Sequence, residues 1–104
     1  MTTKDDLSLM ELRKALGLRQ REMAARMGLS IRPYQQLELA SDKVRPRHIR
    51  LAESVALDVA IEKEDPELAP AGVREKAMKL ARLILMQNFR QKARKLAAIM
   101  LKQE

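Results

Sequence analysis

This chain of 104 residues has no cysteine and no tryptophan, and only one tyrosine and one phenylalanine. The missing cysteine excludes disulfides, thiolate metal sites and cysteine nucleophiles together. An aromatic content of 2% leaves no stacking platform of the kind that grips single-stranded nucleic acid or splayed RNA bases. Glycine and proline are scarce too, at 3 and 4 residues, and with 46% apolar residues the composition argues against disorder. No apolar run approaches the length that spans a bilayer. The start MTTKDD is polar and acidic, so the expectation is a cytoplasmic protein with no membrane contact.

The residues that usually carry catalysis are equally thin. The one histidine, His48, stands two residues after Pro46 at an expected helix start, where a surface or capping role suits it. Asp58 and Glu62 form an i, i+4 carboxylate pair, which on an exposed acidic helix is solvated rather than an acid/base dyad or a metal site. There is no glycine-rich phosphate loop and no nucleophile motif. The expectation is therefore a non-enzyme with no cofactor and no metal.

Charge is plentiful but unevenly placed. The net charge is +7. Residues 74–104 hold nine Lys or Arg against Glu75 and Glu104, so this stretch accounts for the whole excess. Upstream, Glu53, Asp58, Glu62, Glu64, Asp65 and Glu67 form an acidic tract, whereas residues 17–47 are basic.

The most informative stretch is Gly17 to Glu38, GLRQREMAARMGLSIRPYQQLE. Met23, Ala24 and Met27 make an apolar helical stripe, and Gly28 can close that helix in a left-handed conformation that a Cβ would oppose. Ser30 follows as N-cap of the next helix, its hydroxyl expected to accept an amide hydrogen, and Pro33 falls early enough to remove little bonding. Tyr34 and Leu37 face inward, which turns Ile31, Arg32, Gln35 and Gln36 wholly or partly outward. Two short helices across a tight turn are the layout of a helix-turn-helix, whose second helix fits the major groove of DNA.

At these residues the stretch from about Leu9 to Leu57, roughly half the chain, resembles the lambda-repressor/Cro (Xre) helix-turn-helix family. The resemblance runs through Leu18, Arg19, Gln20, Glu22, Met23, Ala24, Met27, Gly28, Leu29 and Ser30, and then Tyr34, Leu37 and Glu38. Ala40 stands where a glycine commonly ends the recognition helix, and Pro33 is unusual within it. The resemblance implies a structural ion pair between Arg13 and Glu38. It also implies base contacts by Ile31, Arg32 and Gln36, with Gln35 beside them. Arginine can bind guanine and glutamine adenine through paired hydrogen bonds, and isoleucine can meet a thymine methyl. Phosphate contacts are expected from Arg19 and Gln20 at the start of the motif, and from Lys43, Arg45 and Arg47 in and after the following loop.

Beyond the motif the pattern is helical throughout, with five or six helices and no strands. Helix 1 is expected from Leu7 to Leu16, and Pro46 opens a helix over residues 47–63 with Ile49, Ala52, Ala56 and Val59 or Ala60 as its apolar stripe. EDPELAP marks a break, giving a DNA-binding domain over residues 1–65, a linker over 66–70 and a helical extension over 71–104. The extension reads as one long helix, or two with a break near Gln87 and Asn88. Met78, Ala81, Leu85, Phe89, Ala93, Leu96 and Met100 recur at spacings of three and four, and Leu83 to Met86 are apolar in succession. A helix of about 30 residues reaches about 45 Å, further than one small core can cover. It is assigned as a dimerisation element through Met78, Leu85, Phe89 and Leu96. Three other roles are weighed for it: completing the monomer's core, lying along DNA phosphates, and binding an anionic lipid surface.

The sequence therefore predicts an all-α fold: a compact helix-turn-helix bundle of four to five helices with a long basic amphipathic C-terminal helix. The expected function is that of a dimeric, sequence-specific double-stranded DNA-binding regulator, most simply a small autorepressor at an inverted-repeat operator. The alternative is a protein-interaction module, an antitoxin or antiactivator whose C-terminal helix grips a protein partner.

Overall fold

A computed structural model describes residues 8–102, and they form five α-helices and no strand. These are α1 (Leu9–Ala15), α2 (Gln20–Met27), α3 (Ile31–Leu39), α4 (Pro46–Glu62) and α5 (Ala71–Lys102), with single 3-10 turns at Ser41–Lys43 and Pro66–Leu68. The expected start of helix 1 at Leu7 lies outside the described residues.

The start of α1 follows from a pattern in the chain, Ser-Leu-Met-Glu. The Ser8 hydroxyl accepts the Glu11 amide hydrogen at 3.1 Å, and the Glu11 carboxylate accepts the Ser8 amide hydrogen at 3.4 Å, so two donors without helical partners are satisfied reciprocally. At its far end Gly17 adopts φ 73°. The Gly17 and Leu18 amides then return to the carbonyls of Lys14 and Arg13 at 3.0 and 3.1 Å. The same closure recurs after α2, where Gly28 at φ 75° and Leu29 donate to Ala25 and Ala24. Both turns drop a leucine, Leu18 or Leu29, back against the core.

The start of α3 departs from expectation. Ser30 is the N-cap in extended backbone, but its hydroxyl makes no capping bond. Such a hydroxyl normally accepts from the second or third amide of the helix, and the third here belongs to Pro33, which has none. The helix instead begins with the Tyr34 amide donating to the Ser30 carbonyl at 3.2 Å. It ends without a glycine because Ala40 turns to extended backbone, φ −127°, and leads into the 3-10 turn.

Helix α4 runs over Pro46–Glu62, with Pro46 in the first turn where no amide is needed. Its buried face differs from the expected stripe. His48, Ala52, Val55, Ala56, Val59 and Ala60 are buried, whereas Ile49 is 52% exposed. Ile49 lines an open cavity of about 470 Å³ together with Leu9, Leu12, Leu37 and Val44. His48 is not a surface residue: it is buried, and its Nδ1 accepts the Arg45 amide hydrogen at 2.9 Å. A capping role and burial thus coincide in one side chain.

The core draws on four helices: Leu12 and Leu16 of α1 and its end, Met23, Ala24 and Met27 of α2, Tyr34 of α3, and Ala52, Val55, Ala56 and Val59 of α4. Leu16, Met23, Tyr34 and Val59 are the largest fully buried side chains. Two polar ties span the same elements. The Arg26 guanidinium of α2 meets the Glu62 carboxylate of α4 through two hydrogen bonds at 2.8 and 3.0 Å, and Lys63 Nζ donates to the Leu16 carbonyl at 2.9 Å. The segment 66–70 does not stand clear as a spacer. Its 3-10 turn packs against α4 and Ala69 is buried.

The chain divides into a compact unit that ends at Arg74 and a second that begins at Glu75, within α5. Helix α5 continues unbroken through Gln87 and Asn88 to Lys102. No residue of it is buried, and Met78, Leu85, Phe89 and Leu96 are between 54% and 74% exposed.

Truncating Met23 to alanine should lower the unfolding free energy by about 2–5 kcal/mol, measured by urea denaturation. The two glycine turns should respond unequally. A Cβ at Gly28 meets nothing within 4 Å, whereas one at Gly17 comes 3.2 Å from Lys63 Nζ. Gly28→Ala should cost about 1–2 kcal/mol from backbone strain alone, and Gly17→Ala should cost more because it also disturbs the lysine that caps α1. Equal losses would show that the lysine contact contributes nothing.

Candidate nucleic-acid interface

The helix that the sequence marks for recognition, α3, is held from below by one carboxylate. Glu38 has a side chain only 2% exposed, and its two oxygens accept four hydrogen bonds. Arg13 of α1 approaches through Nε at 2.7 Å and Nη2 at 3.2 Å. Gln20 of α2 donates through Nε2 at 2.9 Å, and the Tyr34 hydroxyl, one turn earlier on α3, donates to the second oxygen. Arg13 also reaches the Leu18 carbonyl with Nη1 at 3.0 Å, which ties the α1–α2 loop to the same point.

Such a site decides its own ionisation. Burial pushes the Glu38 carboxyl upward, but the bonds from Arg13, Tyr34 and Gln20 outweigh it and hold the group below the ordinary carboxylate range. The same contact with Glu38 raises the Arg13 guanidinium further. Burial, then the bond to Glu38, pushes the Tyr34 phenol well above its usual value. At neutral pH the centre is thus a carboxylate facing a guanidinium and a neutral phenol. A buried charge is tolerated only when paired and fully hydrogen-bonded in this way.

From this centre a short relay runs outward. The Gln20 amide gives its N–H to Glu38, so its carbonyl oxygen faces the other way and accepts from Gln35 Nε2 at 3.1 Å. Gln20 and Gln35 are therefore half-buried and bonded to each other. Arg32 and Gln36, one helical turn apart, stand exposed on the outer side of α3. Ile31 is divided between the two, with part of its surface packed against the core. Of the four expected base readers, Arg32 and Gln36 are open, Ile31 is half-covered, and Gln35 has one donor already engaged.

Of the expected phosphate contacts, Arg19 is the exposed N-cap of α2, its amide hydrogen accepted by Glu22 at 2.8 Å. The Gln20 side chain is occupied in the relay, which leaves the backbone amides of the α2 start as its means of meeting an anion. Lys43 lies exposed in the 3-10 turn after α3, and Arg45 and Arg47 are exposed at the start of α4. None of the four cationic side chains, Arg19, Lys43, Arg45 and Arg47, has a carboxylate partner among the described ion pairs. No known protein family matches this chain, and neither a curated protein nor a solved structure is similar to it.

Sequence reasoning paired Arg13 with Glu38 and placed Gln20 and Gln35 individually, but did not join the two glutamines to the carboxylate. It took Tyr34 as plain core although its hydroxyl is a donor to Glu38. The i, i+4 spacing of Tyr34 and Glu38 was the available signal. The acidic helix likewise holds a partner that was missed, since Glu62 pairs with Arg26 and is held below the ordinary carboxylate range by that bond. Among the described residues no group of three or more His, Asp or Glu could hold a metal ion, and no helix is long and apolar enough to cross a membrane.

Because Glu38 is more acidic in the folded chain than in the unfolded one, its contribution is present above about pH 4.3 and is lost as pH falls through its lower folded value. Glu38→Gln should cost about 3 kcal/mol at pH 7, as it leaves a half-buried guanidinium without its counter-charge. The gap between the two proteins in urea denaturation should narrow at pH 3. A gap that stays constant would mean that the carboxylate's charge is not what stabilises the site.

Proposed function

We propose that this chain is a sequence-specific double-stranded DNA-binding regulator, acting as a small dimeric repressor that occupies an inverted repeat. The observation that carries the reading is the outer side of α3. There Arg32 and Gln36 stand exposed one turn apart on a helix locked by the Glu38 centre, with Arg19, Lys43, Arg45 and Arg47 exposed on the segments that precede and follow it. A helix so fixed can present paired donors and acceptors to base edges without losing its orientation. The basic residues around it supply the salt-dependent attraction to phosphates that any such reader needs.

Each copy has one recognition helix, and two copies place two such helices in successive major grooves. The exposed apolar side chains of α5 support the dimer, because side chains of that size in water are stabilised by meeting another surface. The same exposure favours a second reading, a protein-interaction module whose α5 grips a different protein. Removal of residues 75–104 separates the two: it abolishes dimerisation in the first case and leaves self-association unchanged in the second.

Selection of bound sequences from a random duplex library tests the primary reading. A short inverted repeat bound at least about a thousandfold more tightly than random duplex is expected, whereas uniform binding with steep salt dependence would overturn sequence specificity. Arg32→Ala and Gln36→Ala should each erode discrimination at particular base pairs by about 1–3 kcal/mol. Equal losses on selected and random DNA would remove them from base readout. Lys43→Ala and Arg45→Ala should weaken binding to both and flatten the dependence of affinity on salt. An unchanged slope would show that neither meets a phosphate.

A further inference from the structure

The apolar stripe of α5 has a symmetry that spacing alone does not demand. Leu85 and Phe89 lie two residues either side of Gln87, Ala81 and Ala93 lie six either side, and Met78 and Leu96 lie nine either side. Size follows the same symmetry: large residues flank the centre, small ones come next, and large ones follow. Reversing the direction of the helix about residue 87 therefore reproduces the stripe over residues 78–96 in both position and bulk; Met100, beyond that span, falls opposite Arg74.

We propose that α5 pairs with α5 of a second copy in antiparallel register centred on Gln87. In this register Leu85 meets Phe89 of the second copy, the two alanine levels coincide, and Met78 meets Leu96 of the second copy. The inference rests on the dimeric reading of α5 given above and is independent of the DNA target. A two-fold interface must be complementary to itself, with residue i meeting j wherever j meets i. This stripe satisfies that condition in the antiparallel sense, a condition that a different protein partner would not impose.

Other features bear on this register. Antiparallel helices oppose their dipoles, whereas parallel ones align them. At 100° per residue Lys76, Arg90 and Arg94 fall on the side of α5 away from the stripe, so these charges of both copies stay in water, whereas Arg82 and Lys92 border the stripe and face each other across the two copies, a repulsion that salt screens. The area is also adequate. Met78, Leu85, Phe89 and Leu96 are all more than half exposed and can each bury roughly 100 Å². Two copies with their alanines and adjoining side-chain stems therefore reach roughly 1,000 Å², the size at which specific association separates from incidental contact.

Because the chain has no cysteine of its own, disulfide trapping of the full-length protein reads the register directly. The variants are Met78→Cys, Leu96→Cys and the double variant, each checked for unchanged helix content by circular dichroism. The two positions are about 27 Å apart along one helix, beyond the reach of a bond within one chain. On oxidation the double variant should become a covalent dimer while each single variant does not, and an equimolar mixture of the two singles should yield a mixed dimer. Cross-linking of either single variant with itself would overturn the antiparallel register in favour of a parallel one while leaving the dimer. A wild-type chain that sediments as a monomer, with no trapping in any variant, would overturn both. Trapping as expected with no selected operator would leave the register standing and remove the DNA reading.

Discussion

The compact unit depends on the buried carboxylate of Glu38. It accepts from Arg13 of α1, Gln20 of α2 and Tyr34 of its own helix, so the three elements that must be fixed relative to one another share an anchor. Apolar packing holds these helices together, but packing alone tolerates small slides and rotations of one helix on another. A carboxylate with four bonded donors does not, because any slide leaves a buried charge or donor unsatisfied. The orientation of α3, and with it which side chains face outward, is therefore decided by polar geometry at the edge of an apolar core.

That anchor is coupled to the candidate interface through the amide of Gln20. An ionised Glu38 can only accept, so Gln20 must turn its N–H inward and its oxygen toward Gln35. The carboxylate thereby fixes the position of a side chain on the flank of the candidate interface. Arg32 and Gln36 are not part of this relay and keep their bonding capacity, whereas Gln35 has one of its two N–H donors engaged. A graded surface results, with two open side chains beside one constrained amide and one half-buried isoleucine.

The two units meet water differently. The first encloses Leu16, Met23, Tyr34 and Val59 within a small bundle whose helix ends are closed by glycines, a Ser–Glu cap and a histidine. The second is a single helix with Leu80, Leu83, Ile84 and Leu85 exposed on several sides, and an isolated helix draws most of its stability from packing. Helical propensity is high in this segment, with no proline and no glycine after Gly72. Its apolar content nonetheless exceeds what propensity requires.

Much of this was legible in the chain itself. The helix ends at Gly17, Gly28 and Pro46 are local chemistry: a left-handed turn needs a glycine and a first helical turn accepts a proline, whatever surrounds them. The apolar periods of α2 and α5 are likewise local, as they require only 3.6 residues per turn. Tertiary structure alone decided whether Ile49 or His48 of α4 turned inward. Both positions suit a helix, and the choice depends on which neighbouring helix supplies a surface. It also decided that Ser30 caps without a hydroxyl bond, and that Gln20, 18 residues away, and Tyr34 converge on Glu38 while Gln35 bonds to Gln20. Hydrogen bonds between side chains on different helices depend on crossing angles and distances, and these exist only once the whole bundle has packed.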